Sequence, residues 1–388
     1  MKKDDPVFPL VATTLFGLED ILADELKSLG AKSIRVMNRS VSFNGGRNMI
    51  YRANLWCRTA IRILRTIKTF RVSSDTGFYK NILDIDWSKF LSPDGTLAVD
   101  AVINNSVFDN SHYVAQRVKD AVVDRFRKET GRRPSVDLAN PGLRINLYLK
   151  EDRAVLSLDS SGESLHRRGY RRETGEAPIN EVLAAGILAL TEWDMKSSLI
   201  DPMCGSGTFV IEAAMMARNI APGLNRNSFG FMNWKDYDST IFQKLYREAK
   251  VAILQDITAE IVGSDISRTG LTQARANARR AGVESCIKFE QETIENQNPP
   301  PPPGIMVANP PYGERMKRDD IIDLYSLIGD ALKKKYNGFN AFVFTGNLEA
   351  AKNIGLRTSR RIKLYNGPLE SRLLKFEMYQ GTKKNKPA

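Results

Sequence analysis

From about residue 178 the chain alternates short apolar runs with longer helix-like stretches, and this alternation restricts the folds open to it. The runs are SSLID (197–201), AEIVGSD (259–265), CIKFE (286–290), GIMVA (304–308) and NAFVFT (340–345). Between them lie stretches such as TFVIEAAMMARN (208–219) and RTGLTQARANARRAG (268–282), with apolar residues at helical spacing. Short, continuously apolar strands are buried on both faces, which predicts a parallel sheet covered by helices on each side. The final segment, RRIKLYNGPLESRLLKFEMYQ (360–380), reads as two strands joined through Gly367-Pro368. The expectation is an α/β domain with a seven-stranded, mostly parallel, Rossmann-like sheet.

Strand SSLID runs into Pro202-Met203-Cys204-Gly205-Ser206-Gly207-Thr208 and then a helix. Glycines at 205 and 207 allow a tight turn and close approach of a ligand to the backbone. Open α/β sheets bind ligands at such strand ends. The GxGxxG pattern is incomplete, since Val210 stands where its third glycine would be, and no GK[ST] phosphate loop occurs. Dinucleotides and nucleoside triphosphates are therefore disfavoured. The next strand ends at Asp265, which can accept hydrogen bonds from both hydroxyls of a ribose. Its competing role is to cap the following helix, a task that Ser267 can also fill.

Asn309-Pro310-Pro311-Tyr312 follows directly on strand GIMVA and continues as Gly313-Glu314-Arg315. An exocyclic base amine is a poor nucleophile because its lone pair is delocalised into the ring. Hydrogen bonds from its two protons to the Asn309 side-chain oxygen and the Pro310 carbonyl would draw the nitrogen toward tetrahedral geometry and free that lone pair. The two prolines stiffen the loop, and Tyr312 offers a face for stacking on an extruded base. The four residues match the (Asp/Asn)-Pro-Pro-aromatic loop of amino-methyltransferases.

The first half of the chain reads as mixed α and β. PVFPLVAT, KSIRVM, SVSF, LAVDAVI, LRINLYLK and RAVLSLD are strand candidates, the last two forming a hairpin across Glu151-Asp152. GLEDILADELKSLG, ILDIDWSKFL and HYVAQRVKDAVVDRFRKETG are helix candidates. RTAIRILRTIKTFR (58–71) is either a strand with a basic outer face or a helix with a basic stripe. Residues 1–172 hold 29 Lys/Arg against 20 Asp/Glu, while residues 173–388 hold 28 against 25. A basic half joined to a nearly neutral one suggests a polyanion-binding arm on a chemical domain. Cys57, Cys204 and Cys286 are too few and too scattered for a disulfide framework or a zinc site. With only His112 and His166 besides, no catalytic metal is expected. No apolar run of transmembrane length and no signal peptide is read, so the expected compartment is the cytoplasm.

The helix residues Val118–Phe126, Gly131-Arg132-Arg133-Pro134 and the strand after Asn140-Pro141 resemble a THUMP domain, an RNA-binding module. LIDPMCGSGT, VGSDIS and NPPYGER, in that order, resemble the THUMP-containing guanine-N2 methyltransferases of 23S ribosomal RNA. His166-Arg167-Arg168-Gly169-Tyr170-Arg171 with Ala177-Pro178-Ile179 adds to the likeness, as do Ala221–Arg226, Phe229-Gly230-Phe231 and Trp234. The resemblance implies a class I methyltransferase domain over 164–382, after a ferredoxin-like subdomain (1–70) and a THUMP domain (71–163). It implies S-adenosylmethionine held by Pro178, Asp201, Cys204, Gly205, Gly207, Thr208, Asp265, Ile266, Glu292 and Asn309. Catalysis falls to Asn309, Pro310, Pro311 and Tyr312. The family often places an Asp near the cofactor adenine, where this chain reads Phe289-Glu290-Gln291-Glu292, so Glu292 or Gln291 takes that place. The implied substrate is ribosomal RNA, with transfer RNA second. The loop chemistry alone equally permits guanine N2, adenine N6 or cytosine N4. The alternative of another class is a non-catalytic RNA-binding ribosome-assembly factor.

Overall fold

The computed structural model describes residues 6–171, 179–311 and 318–379. Tyr312 and Pro178, two of the expected site residues, lie outside the described residues. The chain forms two compact units that are not consecutive in sequence. The first takes residues up to 14, 22–165 and 226–247, and the second takes 15–21, 166–225 and 248 onward. No described helix is long and apolar enough to cross a membrane.

In the first unit the elements are β1 (Phe8–Thr13), α1 (Glu19–Ser28), β2 (Lys32–Met37), β3 (Ser40–Gly45), α2 (Arg47–Trp56), β4 (Arg62–Arg71), α3 (Asp75–Leu83), β5 (Thr96–Asn104), α4 (Ser111–Thr130), β6 (Ser135–Val136), β7 (Leu143–Lys150) and β8 (Arg153–Asp159). They build a single eight-stranded sheet in the order β2-β3-β1-β4-β8-β7-β5-β6. β4 pairs with β8 from Leu64↔Asp159 to Arg71↔Arg153, so one sheet runs through both the 1–70 and the 71–163 segments. Period-two patterning sets the faces: Leu143, Ile145, Leu147 and Leu149 of β7 are fully buried while Tyr148 and Lys150 point outward. Helix α4 starts where the Asn110 side chain accepts from Tyr113 N and stops at Gly131, whose φ of 71° a side chain would resist. The expected helix over ILDIDWSKFL ends at Leu83; Trp87–Lys89 forms a separate 3₁₀ turn.

Segment 62–71 is a strand, but its basic side chains are not a free outer face. Arg62 pairs with the buried Asp159. Arg65 pairs with Asp236 at 2.7 Å and lies 3.6 Å from the centroid of the Phe8 ring, and Lys68 donates to the Asn81 carbonyl. Residues 226–247 pack in the first unit. Phe229, Phe231, Trp234, Phe242 and Leu245 join the first unit's core, and the Phe231 ring lies 4.4 Å from Tyr51.

The second unit contains α5 (Glu181–Leu190), β9 (Ser198–Asp201), α6 (Thr208–Ala217), the last turn of α7 (Ser239–Val251), β10 (Ile261–Asp265), α8 (Arg268–Ala281), β11 (Ile287–Gln291), β12 (Gly304–Ala308), α9 (Arg318–Lys335), β13 (Phe339–Thr345), α10 (Leu348–Ala351), β14 (Arg360–Asn366) and β15 (Leu369–Glu377). Its seven strands are ordered β11-β10-β9-β12-β13-β15-β14. The first five are parallel, and β15 inserts antiparallel between β13 and β14. β12 is buried along its length, as its unbroken apolar sequence requires. The order of strands reverses at β9, with β10 on one side and β12 on the other. The carboxyl ends of β9 and β12 therefore flank the crevice in which such sheets bind ligands.

Candidate active site

The loop that leaves β9 is shaped by its glycines in two different ways. Gly205 has φ 50°, and a Cβ placed on it would meet no atom within 4 Å, so one side of the loop is open. Gly207 has φ 84°, and its Cβ would lie 3.0 Å from the Ala274 side chain, so here glycine allows the loop to press on α8. Asp265 ends β10. One of its carboxylate oxygens accepts from Gly205 N at 2.8 Å and the other from Ser267 N at 2.8 Å. Ser267 is the cap of α8, its side chain accepting from Gly270 N, so the capping role does not fall to Asp265. A carboxylate has about four acceptor positions, which leaves Asp265 capacity for a ribose.

Asp201 is almost fully buried and accepts from Met203 N at 3.1 Å. Burial pushes its carboxyl well above the usual range, and the charge of Asp265 pushes the same way. Burial likewise raises the Cys204 thiol, with the charges of Asp201 and Asp265 pushing the same way. Ile266, next to Asp265, is 69% exposed. Of the two candidates at the end of β11, Gln291 donates from its side chain to the Ile266 carbonyl, and Glu292 accepts from Thr293 N through its carboxylate.

At the end of β12, Asn309 is half-buried, Pro310 buried and Pro311 exposed. The Asn309 Oδ1 atom is itself buried and accepts no hydrogen bond from the described residues. An acceptor left in that condition costs free energy unless a ligand completes it.

Of the residues that hold the loop, Arg171 lies in the segment already singled out, while Asn277 and Arg280 were not read from the sequence. Thr208 Oγ1 accepts from Arg171 Nη2 at 2.6 Å, and the Ser206 carbonyl accepts from Asn277, whose own oxygen is engaged by Arg280. The available signal was an asparagine on the buried face of the otherwise alanine-lined α8.

The strand order, with its glycine loop and Asn-Pro-Pro turn at adjacent strand ends, is that of the class I methyltransferase fold. Residues 168–375 match the family described as UPF0020, an RMKL-like methyltransferase domain. Residues 9–64 match the RlmL ferredoxin-like domain, and residues 74–159 the THUMP domain. The chain belongs to this family of RMKL-like methyltransferases. It is 42% identical, over 96% of its length, to a protein of Syntrophotalea carbinolica named ribosomal RNA large subunit methyltransferase K/L, and it spans only 54% of that relative. A Synechocystis protein provisionally named as an RNA methyltransferase is 40% identical, with 96% of this chain and 97% of the relative covered. The crystal structure of SMU.472, provisionally titled a methyltransferase and complexed with SAH (S-adenosylhomocysteine), superposes with a TM-score of 0.87 at 32% identity. That match covers 98% of this chain and 100% of the other.

Proposed function

We propose that this chain is an S-adenosylmethionine-dependent methyltransferase acting on guanine N2 in 23S ribosomal RNA. The observation that carries the reading is the buried Asn309 Oδ1, without a donor among the described residues, at the end of β12. The open side of Gly205, the spare acceptor capacity of Asp265 and the exposed face of Ile266 fit the amino-acid, ribose and adenine parts of the cofactor. Thr208, Cys204, Gly207 and Asp201 shape the loop, and Glu292 stands where an adenine contact is needed. Bound S-adenosylmethionine supplies an electrophilic methyl group.

Asn309 Oδ1 and the Pro310 carbonyl accept the two protons of the target amine and aim its lone pair. Pro311 restricts the turn, and Tyr312 is assigned to stacking on the base. The methylated nitrogen is cationic and acidic, so its proton leaves without a strong base. The first unit is assigned to RNA binding, with the cytoplasm as the working compartment. The full activity, the substrate and the partner are inferred from relatives, some about twice as long as this chain.

The test is nucleoside mass spectrometry of 23S RNA and transfer RNA from a strain lacking the gene, with restoration by purified protein and labelled cofactor. Loss and restoration of 2-methylguanosine in 23S RNA is expected. Loss confined to transfer RNA, or to 6-methyladenosine, would move the substrate. No methyl transfer to any RNA would overturn the reading in favour of an assembly factor.

A further inference from the structure

The Cys204–Thr208 loop is held by ties within itself and to other parts of the same unit. Cys204 N donates to the Ser264 carbonyl, Gly205 N to Asp265, and Gly207 N to the Cys204 carbonyl. The Ser206 carbonyl accepts from Asn277, and the Thr208 hydroxyl accepts from Arg171. Two of these ties lead back to one short stretch of chain. Arg171 reaches Thr208 directly, while the backbone carbonyl of Tyr170 accepts from Arg280 at 2.6 Å, and Arg280 in turn holds Asn277. The Tyr170 hydroxyl donates to Glu212 of α6 at 3.1 Å, fixing the same stretch against the helix that the loop feeds.

The start of α6 needs such help. Its cap, Gly207, has no side chain to bond the free N–H groups, and Thr208, the first residue of the helix with a side chain, is tied instead to Arg171. A guanidinium beside a helix amino terminus opposes the helix dipole. Arg171 is nevertheless placed there, 12% exposed, with Nη1 3.2 Å from Oε1 of Glu181, itself 4% exposed. Buried ion pairs contribute little net stability, so this one is better explained by geometry. The guanidinium is a rigid fork, and fixing one arm on Glu181 sets the direction of the other toward Thr208.

We infer that Arg171, steered by Glu181, is a positioning residue that holds the Thr208 hydroxyl and keeps the glycine loop in its ligand-accepting shape before the cofactor arrives. The inference rests on the reading of Cys204–Thr208 as the S-adenosylmethionine loop. Preorganisation of this kind removes ordering cost from binding. It acts on cofactor affinity and leaves the attack on the methyl group alone.

The experiment measures S-adenosylhomocysteine binding by calorimetry, thermal unfolding and steady-state methyl transfer for the full chain and its variants. Arg171→Met should weaken binding about tenfold, the size expected when a hydrogen bond to a charged group is lost. The KM for S-adenosylmethionine should rise by a similar factor with kcat little changed. Arg171→Lys, which can serve Thr208 or Glu181 but not both, should fall between, and Glu181→Gln should weaken binding in the same direction. A drop in unfolding temperature with unchanged affinity would reduce Arg171 to a structural residue and overturn the inference. If Arg171→Met does not fold, Arg171→Lys decides, since it keeps the charge and loses the two-armed reach: weaker binding supports the inference and equal binding overturns it. If the wild-type chain binds no S-adenosylhomocysteine, the cofactor reading fails and takes this inference with it. Wild-type binding matched by every variant removes the inference alone.

Discussion

Replacing Asn309 by alanine should remove activity while leaving the fold at least as stable as before. A fully buried polar atom without a partner costs about 1–3 kcal/mol. Because the residue is half-buried, the lower end applies, and Asn309→Ala should gain about 1 kcal/mol, or about 2–4 °C in unfolding temperature for a unit of this size. Deleting one preorganised partner of the transition state should slow methyl transfer by about 10²–10³, equivalent to about 3–4 kcal/mol of barrier. S-adenosylhomocysteine affinity should be nearly unchanged, because the amide acts on the base amine during attack. The measurements are single-turnover transfer of labelled methyl to RNA from a strain lacking the gene, and scanning calorimetry of the same preparations. A loss of more than about 1 kcal/mol of stability would show that Oδ1 is a structural acceptor. Near-wild-type turnover would refute the mechanism.

The two loop glycines should respond differently to alanine. Gly205→Ala carries only the backbone cost of positive φ, about 1–2 kcal/mol, yet should lose most S-adenosylhomocysteine affinity because its methyl fills the open side; Gly207→Ala should lose more stability through its contact with Ala274. Normal titration by Gly205→Ala would move the cofactor elsewhere. Burial raises the folded-state pKa of Asp201 above its unfolded value, so its contribution to stability falls as pH rises above the ordinary carboxylate range. Asp201→Asn should therefore unfold at higher temperature than wild type near pH 8 and show no gain near pH 4; a gain of equal size at both would discount this assignment. Lys150 and Arg153 are exposed and directly opposite on β7 and β8, a like-charge pair that bound phosphate would relieve. The double change to glutamate should weaken RNA binding and reduce the log–log salt slope by about 2, as a filter-binding titration would reveal, and an unaltered slope would exclude this face.

The parts of the site that could be read from the sequence are those in which consecutive residues carry the chemistry. Cys204–Thr208 and Asn309–Pro311 each follow an apolar strand, and the sheet topology brings those strand ends side by side. The Arg171–Thr208 and Asn277–Ser206 contacts join residues 37 and 71 positions apart, and local patterning, which can mark Asn277 as a buried polar residue, does not say what it meets. The same limit applies to β4. Its basic residues, Arg62, Arg65, Lys68 and Arg71, left strand and helix open, and only partners as distant as Asp159 and Asp236 reveal that Arg62 and Arg65 are internally compensated. Phe229, Phe231 and Trp234 were named only for their part in the resemblance, and nothing in residues 221–234 specifies which core they fill.

Because residues 226–247 complete the N-terminal core and residues 15–21 belong to the other unit, no single cut separates two intact bodies. A truncation beginning near Glu163 would deprive the methyltransferase unit of Leu18, which packs on Gly186, and leave Phe229, Phe231 and Trp234 without their core. The same interleaving has a consequence during synthesis. The N-terminal sheet emerges from the ribosome first but lacks several of its largest side chains until residue 245 has been added, so its final consolidation must wait for much of the catalytic half. A nascent chain stalled between about residues 170 and 225 should accordingly remain open to proteases that the finished protein resists.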